Sequence, residues 1–428
     1  MRILVTGATG FIGRHIVNKL LELNYDVVAC VRSGRSVPEA WHNIELIEVD
    51  FARDDRVSDW LERLKDVDVV INAVGIIKES AGQSFEAVHI KTPCALFEAC
   101  AIAGVQKVIQ ISALGADADA TSQYHLSKRA ADDYLASQSY SWTILRPSIV
   151  YGAGAQSMAL FKAISSLPFS PLIGDGAQQI QPIHIDDLVR IVVASIETDE
   201  GLNACIDLVG PEPISIEKMY TQLRRWLGLG RPRLLRVPYR LSLALSHLGG
   251  FVGGAPVTPE TVQMLQRGNT ADPGPLAERF GVTPKSFQAA LDETPAQQAD
   301  RWHAQLYFLG PLLRYALAFL WLATGLVSAF GYPPEKSFAL LAQLGVTKTW
   351  APLLLYGASV LDVFLGLALL LRYRIVPLVY FQVSMIVAYT ALVAVSQPTQ
   401  LLHPYGAILK NIPLIPATLA MLVLERSK

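Results

Sequence analysis

The charged residues of this 428-residue chain are distributed very unevenly. The 120 residues from Gln305 to Leu424 contain only eight charged side chains, whereas the other 308 residues contain 65. A water-soluble domain needs polar side chains over its whole surface, so a change this abrupt separates a water-soluble part from a lipid-soluble part. We therefore predict a soluble domain at residues 1–300 and a membrane-embedded domain at residues 305–428.

The second part contains four apolar segments of about 20 residues, which is the length at which a helix crosses the hydrocarbon layer. They are Pro311–Gly331, Ala351–Leu371, Ile375–Val395 and Tyr405–Leu424. The third segment has no charge on any face, whereas a soluble bundle needs polar faces on its outer helices. The sequence thus predicts an all-α bundle of four transmembrane helices, with the lipid bilayer as its partner.

Basic residues near the ends of these segments predict the orientation of the bundle. If the soluble domain is cytoplasmic, the inner side holds six basic residues and the outer side three, which agrees with the positive-inside rule. Arg372 and Arg374, in the tight turn between the second and third segments, are the clearest marker. Met1 leads directly into a strand pattern rather than a signal peptide. We expect a multi-pass protein of a bacterial-type inner membrane, with the N-terminal domain and the C-terminus cytoplasmic.

Short apolar runs alternate with helical patterns through the first 150 residues. Alternation of this kind is typical of a parallel sheet covered by helices on both faces. We predict the α/β class, with a Rossmann-type doubly wound parallel sheet and a smaller substrate lobe mainly within 150–300. The predicted strands are Arg2–Thr6, Asp26–Val31, Ile44–Val49, Val69–Ala73, Lys107–Ile111 and Trp142–Leu145, and the predicted helices include Ile12–Leu23 and Phe85–Ala103.

The region from 150 to 300 is less regular and richer in proline and glycine. Its segment Pro238–Leu248 is apolar but contains Arg240 and His247, so a helix on a membrane surface and a core helix are both compatible with it. The four cysteines are scattered and lack the spacing of a metal site. We expect no metal site and no nucleic-acid partner.

A glycine-rich turn lies between the first predicted strand and the first predicted helix, in the sequence TGATGFIG. Glycines at these places let the backbone approach a pyrophosphate, and the helix N-terminus presents free N–H groups to the anion. A glycine-rich turn without a ligand is the alternative. The predicted dinucleotide-binding residues of this turn are Gly7, Thr9, Gly10, Phe11, Ile12 and Gly13.

The end of the second strand distinguishes between the two nicotinamide cofactors. An acidic residue there would bond the ribose hydroxyls of NAD, but this chain has Arg32 and Ser33, with Arg35 nearby. A cation suits a 2′-phosphate, so NADP(H) is favoured over NAD(H), although an arginine that simply faces solvent would give the same pattern. Further cofactor contacts are predicted where strands three and four end, at Asp50, Phe51, Asn72, Ala73, Val74 and Gly75.

Several motifs occur in the order seen in the extended short-chain dehydrogenases/reductases, the NAD-dependent epimerase/dehydratase family. They are TGATGFIG, NAVG, Tyr124-x-x-x-Lys128, Leu145–Gly152 and Pro182–Asp187, and they cover about residues 1–215. The segment Val262–Leu291 resembles the atypical branch that contains the NADPH-binding accessory subunit of respiratory complex I. The four apolar segments and the sequence Lys410-Asn411-Ile412-Pro413 resemble the DoxX-like membrane family.

The resemblance implies that Tyr124 is the general acid/base of an active site. Lys128 lies four residues further along the same helix face, where its charge would lower the pKa of Tyr124 and where it would also bind the nicotinamide ribose. Ser112 is the expected third member. The interval from Ser112 to Tyr124 is shorter than in extended relatives, so Thr121 or Ser122 are alternatives.

The resemblance also extends to the sixth strand and the segment that follows it. Arg146, Pro147 and Ser148 would lie where the nicotinamide end of the cofactor meets the substrate lobe. His184, with the neighbouring Asp186 and Asp187, would hold that lobe in place rather than bind a ligand.

Asp362 lies near the middle of the second apolar segment. An ionisable group at that depth must face the bundle interior or have a partner. Arg314 and Lys410 are the candidate partners, since each lies within about 10 Å of it along the membrane normal. Asp362 then makes either a structural hydrogen bond between helices or part of a site for a proton or a quinone head.

Three functions are compatible with these patterns. The leading hypothesis is a membrane-bound NADP(H)-dependent oxidoreductase or epimerase that acts on a small lipophilic substrate, namely a lipid, an isoprenoid or a quinone-like molecule. The alternative is a non-catalytic NADPH-binding assembly or redox-sensor protein at the membrane. A transport or quinone-handling module ranks last, because the third segment lacks polar residues for a translocation path. A homo-oligomer or a further membrane partner is compatible with each hypothesis.

Overall fold

A computed structural model describes residues 1–80, 82–198, 203–251, 258–396, 398–402 and 408–426. The chain forms two compact units, Met1–Arg301 and Trp302–Lys428. The first contains all the strands and most of the short helices. The second consists of helices alone over its described residues.

A seven-stranded parallel sheet forms the centre of the first unit, in the order β11-β6-β5-β4-β1-β2-β3. Its strands are β1 (Arg2–Thr6), β2 (Asp26–Val31), β3 (Glu45–Glu48), β4 (Val69–Asn72), β5 (Lys107–Ile111), β6 (Ser141–Pro147) and β11 (Ala204–Leu208). The six predicted strands are present, with ends shifted by two residues or fewer. The seventh strand was not predicted. It lies at the sheet edge, and only part of it is buried, so its sequence lacks a continuous apolar run.

Helices cover both faces of this sheet, which confirms the predicted Rossmann-type doubly wound fold. On one face, Ile16 and Leu20 of the first helix pack with Leu188 of the sixth. On the other face, Leu96 and Leu135 of the third and fourth helices pack against the sheet. These helices are α1 (Phe11–Glu22), α2 (Ser58–Leu61), α3 (Thr92–Ala103), α4 (Gln123–Ala136) and α6 (Ile185–Glu197).

The predicted helix Phe85–Ala103 differs from the structure in one respect. Its first part, Glu86–Lys91, is a π-helix, and α3 begins only at Thr92. Pro93 has no backbone N–H and cannot make the ordinary i to i−4 hydrogen bond, which favours a wider turn at this point.

A smaller lobe contains the remaining elements of the first unit and has its own core, in which Tyr151, Leu172, Met219 and Phe287 are buried. Its two-residue and four-residue strands pair as β7 with β10, β9 with β12 and β8 with β13. They are β7 (Val150–Tyr151), β8 (Ser170–Ile173), β9 (Gln179–Ile180), β10 (Ile183–His184), β12 (Ile214–Ser215) and β13 (Leu234–Val237). The helices after β7 are α5 (Gln156–Ser166), α7 (Ile216–Trp226), α8 (Tyr239–Phe251), α9 (Pro259–Arg267), α10 (Gly274–Phe280), α11 (Phe287–Glu293) and α12 (Gln298–Leu306).

Over the described residues, three helical segments are long and apolar enough to cross a membrane: Gln298–Gly331, whose first four residues belong to the first unit, Ala351–Leu370 and Ile375–Ser396. The helices of the second unit are α13 (Leu309–Leu326, continued by a π-helix at Val327–Gly331), α14 (Pro334–Gln343), α15 (Ala351–Leu370), α16 (Ile375–Ser396) and α17 (Asn411–Arg426). The fourth predicted segment, Tyr405–Leu424, begins partly outside the described residues. Helix α17 starts later than predicted and has 16 residues.

Two glycines let α13 and α15 approach each other closely. A Cβ atom on Gly325 would lie 2.6 Å from the carbonyl oxygen of Ser359, and one on Gly366 would lie 2.9 Å from that of Ala318. Small residues at helix contacts are the usual way in which membrane helices gain close packing. The backbones of α13 and α15 are therefore in direct contact at two levels.

Charged residues at one end of this unit form a cluster around the buried Glu425. Its carboxylate makes ion pairs with Arg372 at 2.8 Å and with the buried Arg314 at 3.6 Å. The proposed pairing of Arg314 or Lys410 with Asp362 is wrong, because neither comes within 4 Å of that carboxylate over the described part of the chain. The prediction overlooked Glu425, which lies just beyond the last apolar segment and supplies the nearest carboxylate to Arg314.

Candidate active site

The turn between β1 and α1 brings backbone groups so close together that two of its glycine positions have no room for a side chain. Gly7 has a φ of +67°, and a Cβ atom on it would lie 2.8 Å from the carbonyl oxygen of Ala73. A Cβ atom on Gly13 would lie 2.2 Å from the carbonyl oxygen of Gly7. Only glycine fits at these two positions, so the start of α1 is held directly against the ends of β1 and β4.

The N-terminus of α1 is suited to an anion. Its N-cap residue is Gly10, so no side chain bonds the N–H groups of the first turn, and that turn contains no acidic residue. Free N–H groups and the positive end of the helix dipole attract phosphate groups. Thr9, Phe11 and Ile12 are half-buried around this end. The observed geometry therefore fits the pyrophosphate of a dinucleotide.

The residues predicted at the next two strand ends differ in their freedom to contact a ligand. Arg32 and Ser33 are exposed directly after β2. Asp50 accepts from the N–H of Ala52 at 3.0 Å. Phe51 is buried, and its carbonyl oxygen accepts from the hydroxyl of Thr92 at 2.9 Å. Arg32 and Ser33 are thus free to meet a ribose or a 2′-phosphate, whereas Phe51 supports the fold.

Asn72 joins three strands. Its side-chain oxygen accepts from the hydroxyl of Thr6 at 2.6 Å, and its amide nitrogen donates to Gln110 at 2.7 Å. The side chain is fully buried, so both of its functional groups serve the sheet. Any contact from this strand end to a cofactor comes from the following residues, Ala73, Val74 and Gly75, which leave the sheet and are only partly buried or exposed.

Helix α4 places three polar residues on one face, since Tyr124, Lys128 and Asp132 are spaced by four. The helix begins where the hydroxyl of Ser122 accepts from the N–H of His125 at 3.1 Å. The ammonium group of Lys128 donates to the carbonyl oxygens of Ile111 at 2.8 Å and Val74 at 3.4 Å. Lys128 therefore connects the ends of β4 and β5.

The ring of Tyr124 lies in an aromatic surrounding. Its centroid is 5.7 Å from that of His89, 5.2 Å from that of His125 and 6.2 Å from that of Phe85. Burial, aided by the charge of Asp132, raises the pKa of Tyr124 to about 12. Burial also lowers the pKa of Lys128 to about 8, although the charge of Asp132 opposes that change. The expected lowering of the Tyr124 pKa is absent, because burial and the charge of Asp132 both raise it.

Ser112 faces Asp132. Its hydroxyl donates to that carboxylate at 2.5 Å, and Arg146 lies 3.4 Å from the same oxygen. Burial raises the pKa of Asp132 to about 6, while Ser112, Lys128 and Arg146 act in the opposite direction. The alternative Ser122 caps α4, and Thr121 is exposed.

The other two residues of the sixth-strand signature serve the packing of the lobe. The carbonyl oxygen of Pro147 accepts from the N–H of Leu114 at 2.9 Å. The hydroxyl of Ser148 donates to the carbonyl oxygen of Gln181 at 2.6 Å. Asp187 accepts from the N–H of Lys285 at 2.8 Å, and His184 caps α6 by accepting from Asp186.

The sequence reasoning missed two residues of this site. Asp132 continues the i+4 spacing of Tyr124 and Lys128, so the pattern could have identified it. The Nε2 atom of His89 accepts from the N–H of Ile76 at 2.9 Å, so Nδ1 carries the proton and meets the hydroxyl of Ser127 at 2.8 Å. Burial and the charge of Lys128 lower the pKa of His89 to about 3. It lies on the π-helix, which no pattern in the sequence indicated.

A cavity of about 640 Å³ adjoins the N-terminal turn of α4. Its apolar lining includes Ile77, Phe85, Ile90 and Leu126, and carboxylates of Glu79, Glu86 and Glu260 lie among them. Glu260 also accepts from the backbone N–H of Tyr124 at 2.9 Å. The cavity therefore combines an apolar wall with a carboxylate that holds the backbone of Tyr124. No group of three or more metal-ligating side chains occurs within the described ranges.

Two families match the chain. Residues 3–206 match the NAD dependent epimerase/dehydratase family. Residues 318–419 match the DoxX-like family. The two matched segments fall in the first and the second unit, respectively.

Among curated relatives, the ceramide reductase of Caulobacter vibrioides (strain NA1000 / CB15N) is 31% identical over 239 residues, which are 55% of this chain and 73% of that protein. The mitochondrial NADH dehydrogenase (ubiquinone) 1 alpha subcomplex subunit 9 of Arabidopsis thaliana is 28% identical over 261 residues, 58% of this chain. The chain spans only 63% of the length of that subunit.

A solved nucleoside-diphosphate-sugar epimerase from Staphylococcus aureus has the same fold. It superposes with a TM-score of 0.55 and 20% identity, over 68% of this chain and 99% of that one. The likeness concerns the Rossmann-type part of the chain.

Proposed function

The chain belongs to the NAD dependent epimerase/dehydratase family and carries a DoxX-like domain, and from this premise we propose that it is a membrane-bound NADP(H)-dependent reductase of a lipid carbonyl group. Association with a membrane follows from the DoxX-like domain and its apolar helices. Cofactor choice, substrate and catalytic residues belong to the proposal. The proposed placement is an inner membrane with the soluble unit and both termini in the cytoplasm.

The observation that carries this proposal is the position of Lys128, which follows Tyr124 by one turn of α4 and lies at the ends of β4 and β5. Lys128 holds its ammonium group at the carbonyl oxygens of Ile111 and Val74, and a Cβ atom on Gly75 would lie 3.7 Å from that group. Open α/β sheets bind their ligands at these carboxyl ends of the strands. A bound nicotinamide ribose would meet Lys128 there.

The protonation state of Tyr124 favours reduction. With a pKa of about 12, the phenol keeps its proton at neutral pH and can donate it to a carbonyl oxygen as negative charge develops there. Lys128 supplies a positive charge beside the reacting groups, which stabilises the resulting phenolate. The nicotinamide, when bound, supplies the hydride. Dehydrogenation would instead require Tyr124 to begin deprotonated, which its burial opposes.

The glycine turn and the exposed arginine support the assignment of the cofactor. The uncapped N-terminus of α1 would hold the pyrophosphate, and Arg32 would meet a 2′-phosphate. Since no acidic residue follows β2 directly, the ribose hydroxyl contact typical of NAD has no obvious acceptor there.

Two observations support a lipid as the substrate. The relative in Caulobacter vibrioides is named a ceramide reductase. The cavity beside Tyr124 has an apolar wall, and its three carboxylates against one lysine oppose the entry of an anionic nucleotide sugar. A neutral ketone with a long hydrocarbon chain is consistent with both observations.

The test is NADPH oxidation by the full chain in lipid nanodiscs, with a ceramide whose secondary hydroxyl has been oxidised to a ketone as the probe. We expect turnover in the wild type and a loss of about 10³-fold in Tyr124→Phe, because a general acid contributes on that order. Tyr134→Phe is the matched control, since Tyr134 lies on the same helix and bonds only Glu98 and local groups. Turnover that survives in Tyr124→Phe would overturn the assignment of the acid.

A second candidate is a non-catalytic NADPH-binding protein in a membrane assembly. The observation that favours it is the hydroxyl of Ser112, which bonds Asp132 rather than facing outward as a catalytic serine would. The similarity to a subunit of mitochondrial NADH dehydrogenase points the same way. Tight NADPH binding without Tyr124-dependent turnover on the ketone, or on UDP-glucuronic acid as an epimerase probe, would select this candidate.

A further inference from the structure

Two leucines of helix α8 face outward, and two serines face inward. Leu241 is 50% exposed and Leu245 is 52% exposed, whereas Ser242 is 9% and Ser246 is 3% exposed. Each pair is spaced by four residues and so lies on one helix face. A helix that packs on the core of a soluble domain has the opposite arrangement, with leucines inward.

The inward serines bond only backbone carbonyl groups that are close to them in the described sequence. The hydroxyl of Ser246 donates to the carbonyl oxygen of Leu243 at 2.7 Å, and that of Ser242 lies 3.3 Å from the carbonyl oxygen of Pro238 and 3.5 Å from that of Val237. Each of these partners lies within five residues of its serine, at the last residue of β13, directly before α8 or inside α8. What distinguishes α8 is therefore its outer face, which presents leucines to the surroundings of the domain.

Exposed apolar residues continue on the neighbouring strands. Leu235 of β13 is 53% exposed, and Phe169, which precedes β8, is 58% exposed. Strands β8 and β13 pair with each other, and the guanidinium of Arg233 lies 5.9 Å from the ring centroid of Phe169. We call the four exposed apolar residues Phe169, Leu235, Leu241 and Leu245 the α8 surface.

Four arginines lie before α8 or in its first turn, namely Arg231, Arg233, Arg236 and Arg240, and all four are exposed. No aspartate or glutamate occurs between Leu227 and Phe251. In the part of the chain that the structure describes, none of the four guanidinium groups lies within 4 Å of a carboxylate. Over the described residues, their positive charge is thus not paired with a carboxylate.

We propose that the α8 surface docks into the headgroup region of an anionic lipid leaflet, with the leucines and Phe169 in the acyl boundary and the arginines at the phosphates. An exposed apolar face bordered by basic residues is the arrangement that binds such an interface. The chain already carries membrane-type helices, so a leaflet is always within reach. The contact does not depend on catalysis and stands whether or not the proposed reductase activity is correct.

The test uses the full chain in nanodiscs that hold a single copy. An environment-sensitive dye is attached at Leu245→Cys, in a background where Cys94 and Cys205 are replaced by serine. Lipids with a nitroxide near the headgroup serve as the quencher. Ile102→Cys is the matched control, because Ile102 is an exposed apolar residue (63%) on α3 of the same unit. Retained elution volume in size-exclusion chromatography checks that each variant is folded.

We expect the dye at position 245 to be quenched in discs of phosphatidylglycerol and the dye at position 102 to remain unquenched. Arg236→Ala with Arg240→Ala should lower the ratio of docked to undocked protein about 25-fold, since each basic residue near an anionic surface changes it about fivefold. Equal quenching at both positions would overturn the proposal. So would a dye at position 245 that is shielded only in two-copy samples, which would make the α8 surface a contact between chains.

Discussion

The hydroxyl of Ser112 and the carboxylate of Asp132 are joined by a hydrogen bond of 2.5 Å beneath the candidate active site. Ser112 follows β5, and Asp132 lies two turns along α4 from Tyr124. The bond therefore ties the sheet to the helix that carries Tyr124 and Lys128. Arg146 of β6 lies 3.4 Å from the same carboxylate oxygen, so Asp132 is the centre of a three-element contact.

Removing Asp132 should destabilise this region strongly. Asp132→Ala leaves Arg146 without its carboxylate and Ser112 without an acceptor, so we expect a loss of about 3 kcal/mol in the opening free energy of α4. Hydrogen exchange of α4 amides in the full chain measures it. Asp133→Ala is the control, because Asp133 is exposed and pairs only with Arg129 at the surface, which limits its effect to about 1 kcal/mol or less. Equal losses in the two variants would contradict the role given to Asp132.

The rate of NADPH oxidation should fall as the pH rises through about 8. Lys128 has its pKa lowered to about 8, so its positive charge is present below that pH and is lost above it. Within this window Asp132 stays ionised, and Tyr124 and His89 keep their charge state, because their pKa values lie near 6, 12 and 3. A pH–rate profile of kcat/KM measures the inflection. Lys128→Arg, if folded, should keep its rate to higher pH, and an unchanged inflection in that variant would assign it to another group.

Alanine at position 13 should abolish cofactor binding. The Cβ atom of Gly13→Ala would lie 2.2 Å from the carbonyl oxygen of Gly7, which forces the β1–α1 turn apart. We expect the NADPH affinity to fall more than about 100-fold, as isothermal titration calorimetry would measure. Gly104→Ala is a control with positive φ but nothing within 4 Å, so it should cost about 1 kcal/mol of stability and leave the affinity unchanged.

Arg32→Ala should discriminate between the two cofactors. Loss of a charge-assisted contact to a 2′-phosphate should weaken NADPH binding about tenfold or more, while NADH binding changes by less than about twofold. Titration of the same variant with both cofactors provides the internal control. Parallel weakening of both would show that Arg32 acts on a shared part of the dinucleotide and would remove the argument for NADP(H).

Glu425→Gln should destabilise the membrane unit. The substitution removes the negative charge that pairs with the buried Arg314 and with Arg372. We expect the unfolding temperature of the full chain in detergent to fall by about 5 °C. Glu335→Gln changes an exposed glutamate of the same unit and should have no measurable effect. A stable Glu425→Gln variant would mean that Arg314 has another partner.

The strands and the three long apolar helices could be predicted because their signals are local. Buried strands such as β4 are continuous apolar runs, and a helix in lipid is apolar on every face. The edge strand β11 was not predicted, because it is only partly buried and lacks a continuous apolar run. The π-helix before α3 escaped because a widened turn depends on hydrogen bonding that the side-chain pattern does not record.

The polar partners of the site and of the bundle could not be assigned from the sequence, because they depend on contacts between distant residues. Ser112 and Asp132 are 20 residues apart, and Arg314 and Glu425 are more than 100 apart. The direction in which the pKa of Tyr124 changes also could not be predicted from the sequence. A nearby lysine lowers the pKa of a phenol and burial raises it, and only the structure gives the extent of burial.

The contact between α13 and α15 also has a consequence for biogenesis. At Gly325 and Gly366 the two backbones touch, and both helices precede α16 and α17 in the chain. The pair can therefore assemble while the ribosome is still synthesising the last two helices. Helices α16 and α17 would then pack against a pair that has already formed. A bulky residue at either glycine should therefore slow the insertion of the helices into the membrane before it affects the mature protein.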